Sequence, residues 1–308
     1  SYAVQKKGAG YTATINNILK DDYDQWFRPA DIGIAPDGSL IVADWYDPGV
    51  GGHQAGDQQK GRIYRVAPPG SKYSVPAQDY STAAGAVAAL QNPNLAVRRH
   101  AYLALEDMGQ KAVPELEKLW HAKAKPRMSA RALWVLIKIP GGFKYIDEAI
   151  KNDNPDIRIT GIRAARELNA NVIGVVRQLV ADKDPQVRRE CALALRHRRE
   201  PEAAALWAQL AAQHDGNDRW YLEALGIGAD RQWDNFFTAY LKIKPNPLQT
   251  AGGRDIVWRA RTDKAVPLLA ALAADEKVDL KSRLRYFRAF DFNTGKAKSG
   301  LLLKMITD

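Results

Sequence analysis

The sequence predicts a mostly α-helical protein, an α-solenoid of repeated helix pairs preceded by a small antiparallel β segment. The first observation is a repeat, because the apolar anchors Val97, Met128, Ile157 and Val187 are separated by 31, 29 and 30 residues. A fixed period of this size indicates units whose apolar faces are buried only by neighbouring units. The second observation is that the first 75 residues alternate apolar and polar positions, which favours short strands.

The clearest repeat unit begins at Asp184 and Pro185. Proline is tolerated in the first turn of a helix, and the aspartate beside it can accept hydrogen bonds from the first free amides. Apolar residues then recur at helical spacing on one face, namely Val187, Cys191, Ala194 and Leu195. We therefore expect Cys191, the single cysteine, to be a buried core residue.

A second helix is predicted after Val97, Ile157 and Val187, over residues 112–119, 172–181 and 203–212. More divergent helix pairs are predicted over 217–242, 251–274 and 280–306, separated by proline- and glycine-rich breaks. Together these patterns predict about seven repeats.

The Asp-Pro-x-Val-Arg pattern at 184–188 resembles the signature of HEAT repeats. In that family, acidic and arginine side chains at these positions bond between neighbouring repeats. The resemblance therefore implies a structural ladder formed by Arg98, Asp156, Arg158, Asp184 and Arg188.

Three domain segments are expected: a β segment over 1–73, a linker over 74–81 and the helical repeats over 82–308. The β segment contains four predicted strands, at 11–15, 32–35, 39–44 and 61–66, with a Pro36-Asp37-Gly38 turn between the second and third. Four short strands are typical of one β-propeller blade, and one blade cannot close a propeller. The segment is thus predicted to be an incomplete propeller.

A further resemblance covers nearly the whole chain. Its motifs are Trp-Phe-Arg-Pro-Ala-Asp at 26–31, the glycine-rich stretch 43–53, and Gly-Arg-Ile-Tyr-Arg-Val at 61–66, followed by aromatic segments at 218–225, 255–259 and 285–292. These segments resemble a bacterial family of membrane-bound dehydrogenases. In that family a propeller similar to soluble quinone-dependent sugar dehydrogenases precedes HEAT repeats, and many members add a c-type cytochrome domain.

The resemblance implies that this chain is a fragment, the last blade and the repeat region of a periplasmic enzyme that oxidises sugars or alcohols. A quinone of the pyrroloquinoline type and haem c would belong to the parent protein, and we expect this chain alone to bind no cofactor. A single cysteine also excludes the Cys-x-x-Cys-His haem motif. The expected partners are a cytochrome or the missing blades, and Ser1-Tyr2-Ala3-Val4 is interpreted as a cut end.

One loop carries the candidate cofactor- or substrate-binding residues. Carboxylates and an imidazole on a glycine-rich loop can bind a hard cation or orient a polar substrate. The alternative is that the carboxylates cap the turn around Pro48, and their spacing fits no standard metal motif. The candidates are Arg28, Asp31, Asp44, Asp47 and His53.

The formal net charge is +10, and all of the excess lies after residue 75, where 37 basic residues face 27 acidic ones. A basic solenoid rich in tryptophan and arginine could bind nucleic acid. We do not favour this function, because aromatic residues also fill gaps between divergent repeats, and it is the second alternative. The first alternative is a protein-interaction scaffold without redox chemistry. No run of 18 apolar residues predicts a membrane span.

Overall fold

The computed structural model describes residues 1–20, 22, 26–46, 59–122 and 125–307, except the side chains of 306 and 307. The described chain is mostly helical and carries small antiparallel sheets at its N-terminal end. The predicted combination of helical repeats with a small β segment is therefore confirmed. The number of repeats stays a prediction.

The first strands form a two-stranded hairpin of β1 (Tyr2–Lys7) and β2 (Gly10–Ile15). Their connection is the two-residue turn Gly8 and Ala9, in which Gly8 has a φ of +55°. Glycine adopts this left-handed conformation without steric cost, so the chain can reverse within two residues.

A separate three-stranded sheet follows, with β3 (Pro29–Ile34), β4 (Leu40–Asp44) and β5 (Arg62–Val66) in sequential antiparallel order. Ile34 pairs with Leu40 across the turn, and Asp44 pairs with Arg62. The predicted turn at 36–38 is confirmed. Asp37 stabilises it by accepting hydrogen bonds from the Ser39 amide and hydroxyl and from Arg65 of β5.

The prediction that four strands form one blade is wrong, because the first of the four belongs to a different sheet. Residues 11–15 do form a strand, but it pairs with β1 and not with the sheet of β3, β4 and β5. The strand Tyr2–Lys7 was not among the predicted strands. Because a two-residue turn brings β1 and β2 together at once, pairing between them requires almost no loop closure.

Helices follow from Thr82, whose hydroxyl accepts a hydrogen bond at the start of α1 (Ala83–Leu90). The first helices of the successive pairs are α2 (Leu95–Met108), α4 (Pro126–Leu136), α6 (Pro155–Glu167), α8 (Pro185–Ala194), α10 (Arg219–Gly228), α12 (Ala251–Arg259) and α14 (Leu280–Arg288). The second helices are α3 (Val113–Trp120), α5 (Phe143–Ile150), α7 (Val172–Leu179), α9 (Pro201–Ala211), α11 (Trp233–Ile243), α13 (Val266–Ala274) and α15 (Ala297–Thr307).

The first helix of several pairs begins directly after a capping asparagine or aspartate. The side chains of Asn94, Asn154, Asp184 and Asp218 accept hydrogen bonds from backbone amides in the first turns of α2, α6, α8 and α10. Each cap satisfies amides that have no partner within the helix. A repeated cap followed by a repeated apolar face thus sets the register of the units.

The chain divides into two compact units. One consists of Ser1–Ala3 and Ile15–Tyr145, and the other of Val4–Thr14 and Ile146–Asp308. The second unit therefore combines most of the β1–β2 hairpin with the later helices. The segments expected at 1–73, 74–81 and 82–308 describe a different division, and they stay a prediction.

The cores are built from the apolar helix faces. Cys191 is buried as expected. In the second unit Trp207 is fully buried, donates from Nε1 to the Leu225 carbonyl at 2.9 Å, and packs edge-on against Trp233 at 5.5 Å. Tryptophans at 207 and 233 therefore fill the core between helices, as the aromatic content suggested. Within the described residues, no helix is long and apolar enough to span a bilayer.

Candidate functional site

The candidate residues of the three-stranded sheet have structural contacts. Asp44 is buried at the end of β4 and accepts hydrogen bonds from the amides of Arg28 (2.8 Å) and Tyr46 (3.0 Å) and from the guanidinium of Arg62 (3.0 Å). Burial alone would raise the pKa of Asp44, but these bonds lower it below its usual value. Asp31 accepts a hydrogen bond from the Ile32 amide.

The two remaining candidates, Asp47 and His53, lie outside the described residues. In the parts of the chain that the structure describes, no three histidine, cysteine, aspartate or glutamate side chains gather as metal ligands would. The Asp44 carboxylate is already engaged by three donors, so it does not fit a metal or cofactor contact.

The predicted ladder contains one clear bond between repeats. Arg158 of α6 forms a bidentate ion pair with Asp182, just before α8, with N–O distances of 2.7 and 2.8 Å. Asp184 accepts from the amides of Gln186 and Val187 as the cap of α8, and Arg188 donates to the carbonyls of residues 182 and 183. The carboxylate of the inter-repeat bond is thus that of Asp182.

The other two ladder residues behave differently. Arg98 has a buried Nε that finds no hydrogen-bond partner among the described residues. Asp156, on α6, forms an ion pair with Lys6 of the β1–β2 hairpin at 2.6 Å. This ion pair joins the hairpin to the surface of the helical repeats.

Three successive first helices present their second residue to the hairpin. These residues are Asp156 of α6, Gln186 of α8 and Trp220 of α10, which stand 30 and 34 residues apart. Because units of a repeat protein stack side by side, equivalent positions form a row on its surface. One row of the second unit therefore contacts one segment of the same unit.

The tip of the hairpin is held through its backbone. Gln186 donates from Nε2 to the Gly10 carbonyl at 2.7 Å, and Arg189 donates to the Ala9 carbonyl at 2.6 Å. Asp218 accepts from the Ala9 amide at 2.6 Å. We call the contacting side chains the hairpin row, consisting of Asp156, Gln186, Arg189, Asp218 and Trp220.

The tip fits the surface closely. Ala9 is fully buried, and a Cβ built on Gly10 would lie 2.0 Å from Cδ1 of Trp220. A side chain at position 10 would therefore require the Trp220 indole to move away from the strand. Gln186 is only 1% exposed, so its bond to Gly10 replaces contact with water.

The buried carboxylate of Glu190 lies beside Arg189, the one cationic side chain of the hairpin row. Glu190 is 2% exposed and lies 2.9 Å from Arg163, 3.5 Å from Arg166 and 3.9 Å from Arg189. The bond to Glu190 raises the pKa of Arg163 above its usual value. These charges hold Arg189 in position, and the row holds the hairpin mainly through its backbone, with one side-chain ion pair between Asp156 and Lys6.

Most of this site is not evident from the sequence. Asp156 was predicted to belong to the ladder and residues 218–225 to an aromatic segment, while Gln186 and Arg189 were not predicted to make contacts. The available signal was the shared position after each helix start. It indicates that the residues lie in a row, but not which segment covers them.

Residues 144–226 match the family model for HEAT repeats. No curated protein matches the chain. The matched part runs from α5 into α10 and includes every residue of the hairpin row. This region is a helical repeat scaffold of the HEAT type.

Proposed function

We propose that the helical repeats form a protein-interaction scaffold that binds extended chain segments along the row formed by the starts of its first helices. The observation that carries the proposal is the buried bond from Gln186 to the Gly10 carbonyl. A carbonyl is present in any peptide, so a side chain that recognises it can bind other segments of similar shape. In this chain the β1–β2 hairpin is the segment bound.

The proposal is tested by detaching the hairpin and offering it back. Gly10→Val introduces a side chain against Trp220, whereas Gly33→Val is a matched control because no atom lies within 4 Å of a Cβ there. A fluorescein-labelled peptide of residues 2–15 is titrated into each variant, and anisotropy is recorded. We expect the Gly10→Val chain to bind at least about tenfold more tightly, because the attached hairpin competes at millimolar effective concentration in the control.

A second variant separates specific binding from unspecific adsorption. Adding Gln186→Leu to Gly10→Val removes the donor and leaves the Gly10 carbonyl of the peptide without its buried partner. Loss of such a bond costs about 1–3 kcal/mol. Peptide binding that ignores Gln186→Leu, or no binding to the Gly10→Val chain, would contradict the proposal.

We further propose that the scaffold belongs to a propeller-type dehydrogenase, with a quinone cofactor and haem c held by other parts of a periplasmic parent protein. The resemblance of the motifs at 26–31, 43–53 and 61–66 supports this proposal. So does the three-stranded sheet, which carries apolar side chains on both faces, with Ile32 61% exposed on one face and Ile63 77% exposed on the other. A propeller blade is covered on both faces by neighbouring blades.

The dehydrogenase proposal is tested on the protein as its gene encodes it. Purified protein is loaded with pyrroloquinoline quinone and supplied with sugars, alcohols and a dye that accepts electrons. Quinone-dependent dye reduction is the expected result, and its absence with every substrate and acceptor would leave the scaffold function standing alone. Cell fractionation tests the periplasmic location separately.

A further inference from the structure

A cleft with a strong excess of positive charge lies in the second unit, where α10, α12 and α14 face one another. Its volume is about 760 Å³. One carboxylate, that of Glu223, lines it beside six cationic side chains. We call this the basic cleft, and its cations are Arg219, Arg259, Arg261, Lys281, Arg285 and Arg288.

Only part of this charge is neutralised. Glu223 forms ion pairs with Arg219 at 2.7 Å and Arg259 at 3.0 Å. Arg285 pairs with Asp255 at 2.9 Å, and that carboxylate is shared with His214 at 3.0 Å. Two carboxylates, those of Glu223 and Asp255, therefore form ion pairs with three of the six cations.

The other three cations form no ion pair within the described residues. Lys281 and Arg288 are exposed on α14. Arg261 is half-buried and donates only to the carbonyls of Trp258 and Ala260, while its guanidinium lies 4.8 Å from the Phe292 ring. Burial and the nearby charge of Arg259 lower the pKa of Arg261 to about 10. A partly desolvated cation without a carboxylate is unfavourable, and an anionic ligand would compensate it.

One of these cations, Arg259, is held in place by its neighbours. A Cβ on Gly226 of α10 would lie 2.3 Å from the Arg259 guanidinium carbon, so the glycine leaves the space in which that side chain reaches Glu223. The Arg259 side chain is only 19% exposed, so it is not extended into solvent. The pairing with Glu223 orients it before a ligand arrives, which lowers the entropy cost of binding.

Apolar surface lies among the cations. Leu284 is 58% exposed and Phe292 is 53% exposed at the cleft. The Trp258 ring is already covered by guanidinium groups, since that of Arg285 lies 4.1 Å and that of Arg219 lies 5.4 Å from its centroid. This indole is therefore already occupied by guanidinium groups. Leu284 and Phe292 stay more than half exposed, although Arg261 also contacts the Phe292 ring, and they can contact an apolar side chain.

We propose that the basic cleft binds an acidic peptide segment of a partner protein, in which aspartate or glutamate residues flank a leucine or phenylalanine. Carboxylates suit the planar guanidinium groups of the cleft, because arginine binds them in bidentate geometry. The proposal rests on the scaffold function proposed above and names the chemistry of one partner. It uses side chains outside the hairpin row.

The probe is the fluorescein-labelled peptide Glu-Glu-Asp-Phe-Glu-Glu-Leu-Asp, titrated into the whole chain by fluorescence anisotropy. Two reference peptides are used, one with glutamine and asparagine in place of the acids and one with glycine in place of phenylalanine and leucine. We expect saturable binding of the acidic peptide, weaker binding of the glycine peptide and none of the neutral one.

Charge reversal locates the site. Lys281→Glu with Arg288→Glu changes two exposed cations that have no ion pair, so the fold is expected to persist. Lys244→Glu with Arg199→Glu is the matched control, because both residues are exposed, form no ion pair among the described residues and change the net charge equally. The cleft variant should bind at least about tenfold more weakly, equivalent to about 1.4 kcal/mol, and the control variant should bind as the unmodified chain does.

Three results would overturn the proposal. They are no saturable binding to the unmodified chain, equal losses in the two charge-reversed variants, and tighter binding of a single-stranded DNA of equal charge. The single variant Leu284→Asn should weaken the acidic peptide but not the glycine peptide, and the opposite result would remove the apolar contact from the proposal. The hairpin-peptide titration does not involve these side chains, so it reports on the scaffold function independently.

Discussion

The ion pair between Arg158 and Asp182 is expected to be the strongest single polar contact between repeats. Each side chain is 8% exposed, and Arg158 forms two bonds to the carboxylate and two more to the carbonyls of residues 152 and 153 at 2.8 and 2.9 Å. Arg158→Met keeps most of the side-chain volume and removes all four bonds. The Asp182 carboxylate is then left buried without its counterion.

The expected loss follows from that geometry. Removing one partner of a buried pair destabilises a protein by about 3–5 kcal/mol. Asp182 still accepts a hydrogen bond from the Asp184 amide at 2.8 Å, which retains part of its stabilisation. We therefore expect a loss near the lower end, about 3 kcal/mol.

Arg177→Met is the matched control, because Arg177 pairs with Glu202 while both side chains are about half exposed, at 55% and 54%. An exposed pair contributes at most about 1 kcal/mol. Native-state amide exchange in α6 and α8, together with urea unfolding followed by circular dichroism, measures both variants. Adding Asp182→Asn to Arg158→Met removes the uncompensated charge and should recover part of the loss.

Equal destabilisation by Arg158→Met and Arg177→Met would refute the reasoning. So would strict additivity of Arg158→Met and Asp182→Asn, since it would mean that the two side chains are not energetically coupled. Either outcome would show that the buried pair is not the strongest polar contact between these two repeats.

Two further predictions concern backbone space and pH. In α12, Gly252→Ala places a Cβ 1.9 Å from the His214 carbonyl oxygen. This variant should lose about 1–3 kcal/mol of unfolding free energy and melt at a lower temperature. In α15, Gly300→Ala meets no atom within 4 Å and should raise the unfolding free energy by up to about 1 kcal/mol. The hydrogen bonds of Asp44 lower its pKa despite burial, so its contribution to sheet stability is present above the unfolded value of about 3.9 and is lost as pH falls through the folded value. Thermal unfolding followed from about pH 5 to pH 2 should show this loss, and Asp44→Asn should reduce it; an unchanged pH profile in Asp44→Asn would contradict the assignment.

The helical part of the fold was predictable because its information is local and repeated. Asp184, Pro185 and Val187 specify a cap, a first turn and a buried face within four residues, and the same pattern recurs at a constant period. The start of α8 at Pro185 and of α7 at Val172 agree with the sequence analysis. Boundaries of the second helices differ by one or two residues, as at the end of α9.

The β segment was predicted less well. Each strand was identifiable by alternation except Tyr2–Lys7, and the pairing of residues 11–15 was assigned to the wrong sheet. Alternation shows which face a residue occupies, but it does not specify the partner strand. Gly8 was the available signal, since its positive φ permits the tight turn that joins β1 to β2.

The sequence by itself determined the helical repeats, their caps and the burial of Cys191, because period and helix chemistry act over a few residues. Only the tertiary structure decided that Gln186 binds the backbone of Gly10, 176 residues away in the chain. It also decided that Arg219, Arg261 and Arg288 share one cleft. Contacts of this kind depend on how whole units stack, and no local pattern along the chain encodes that arrangement.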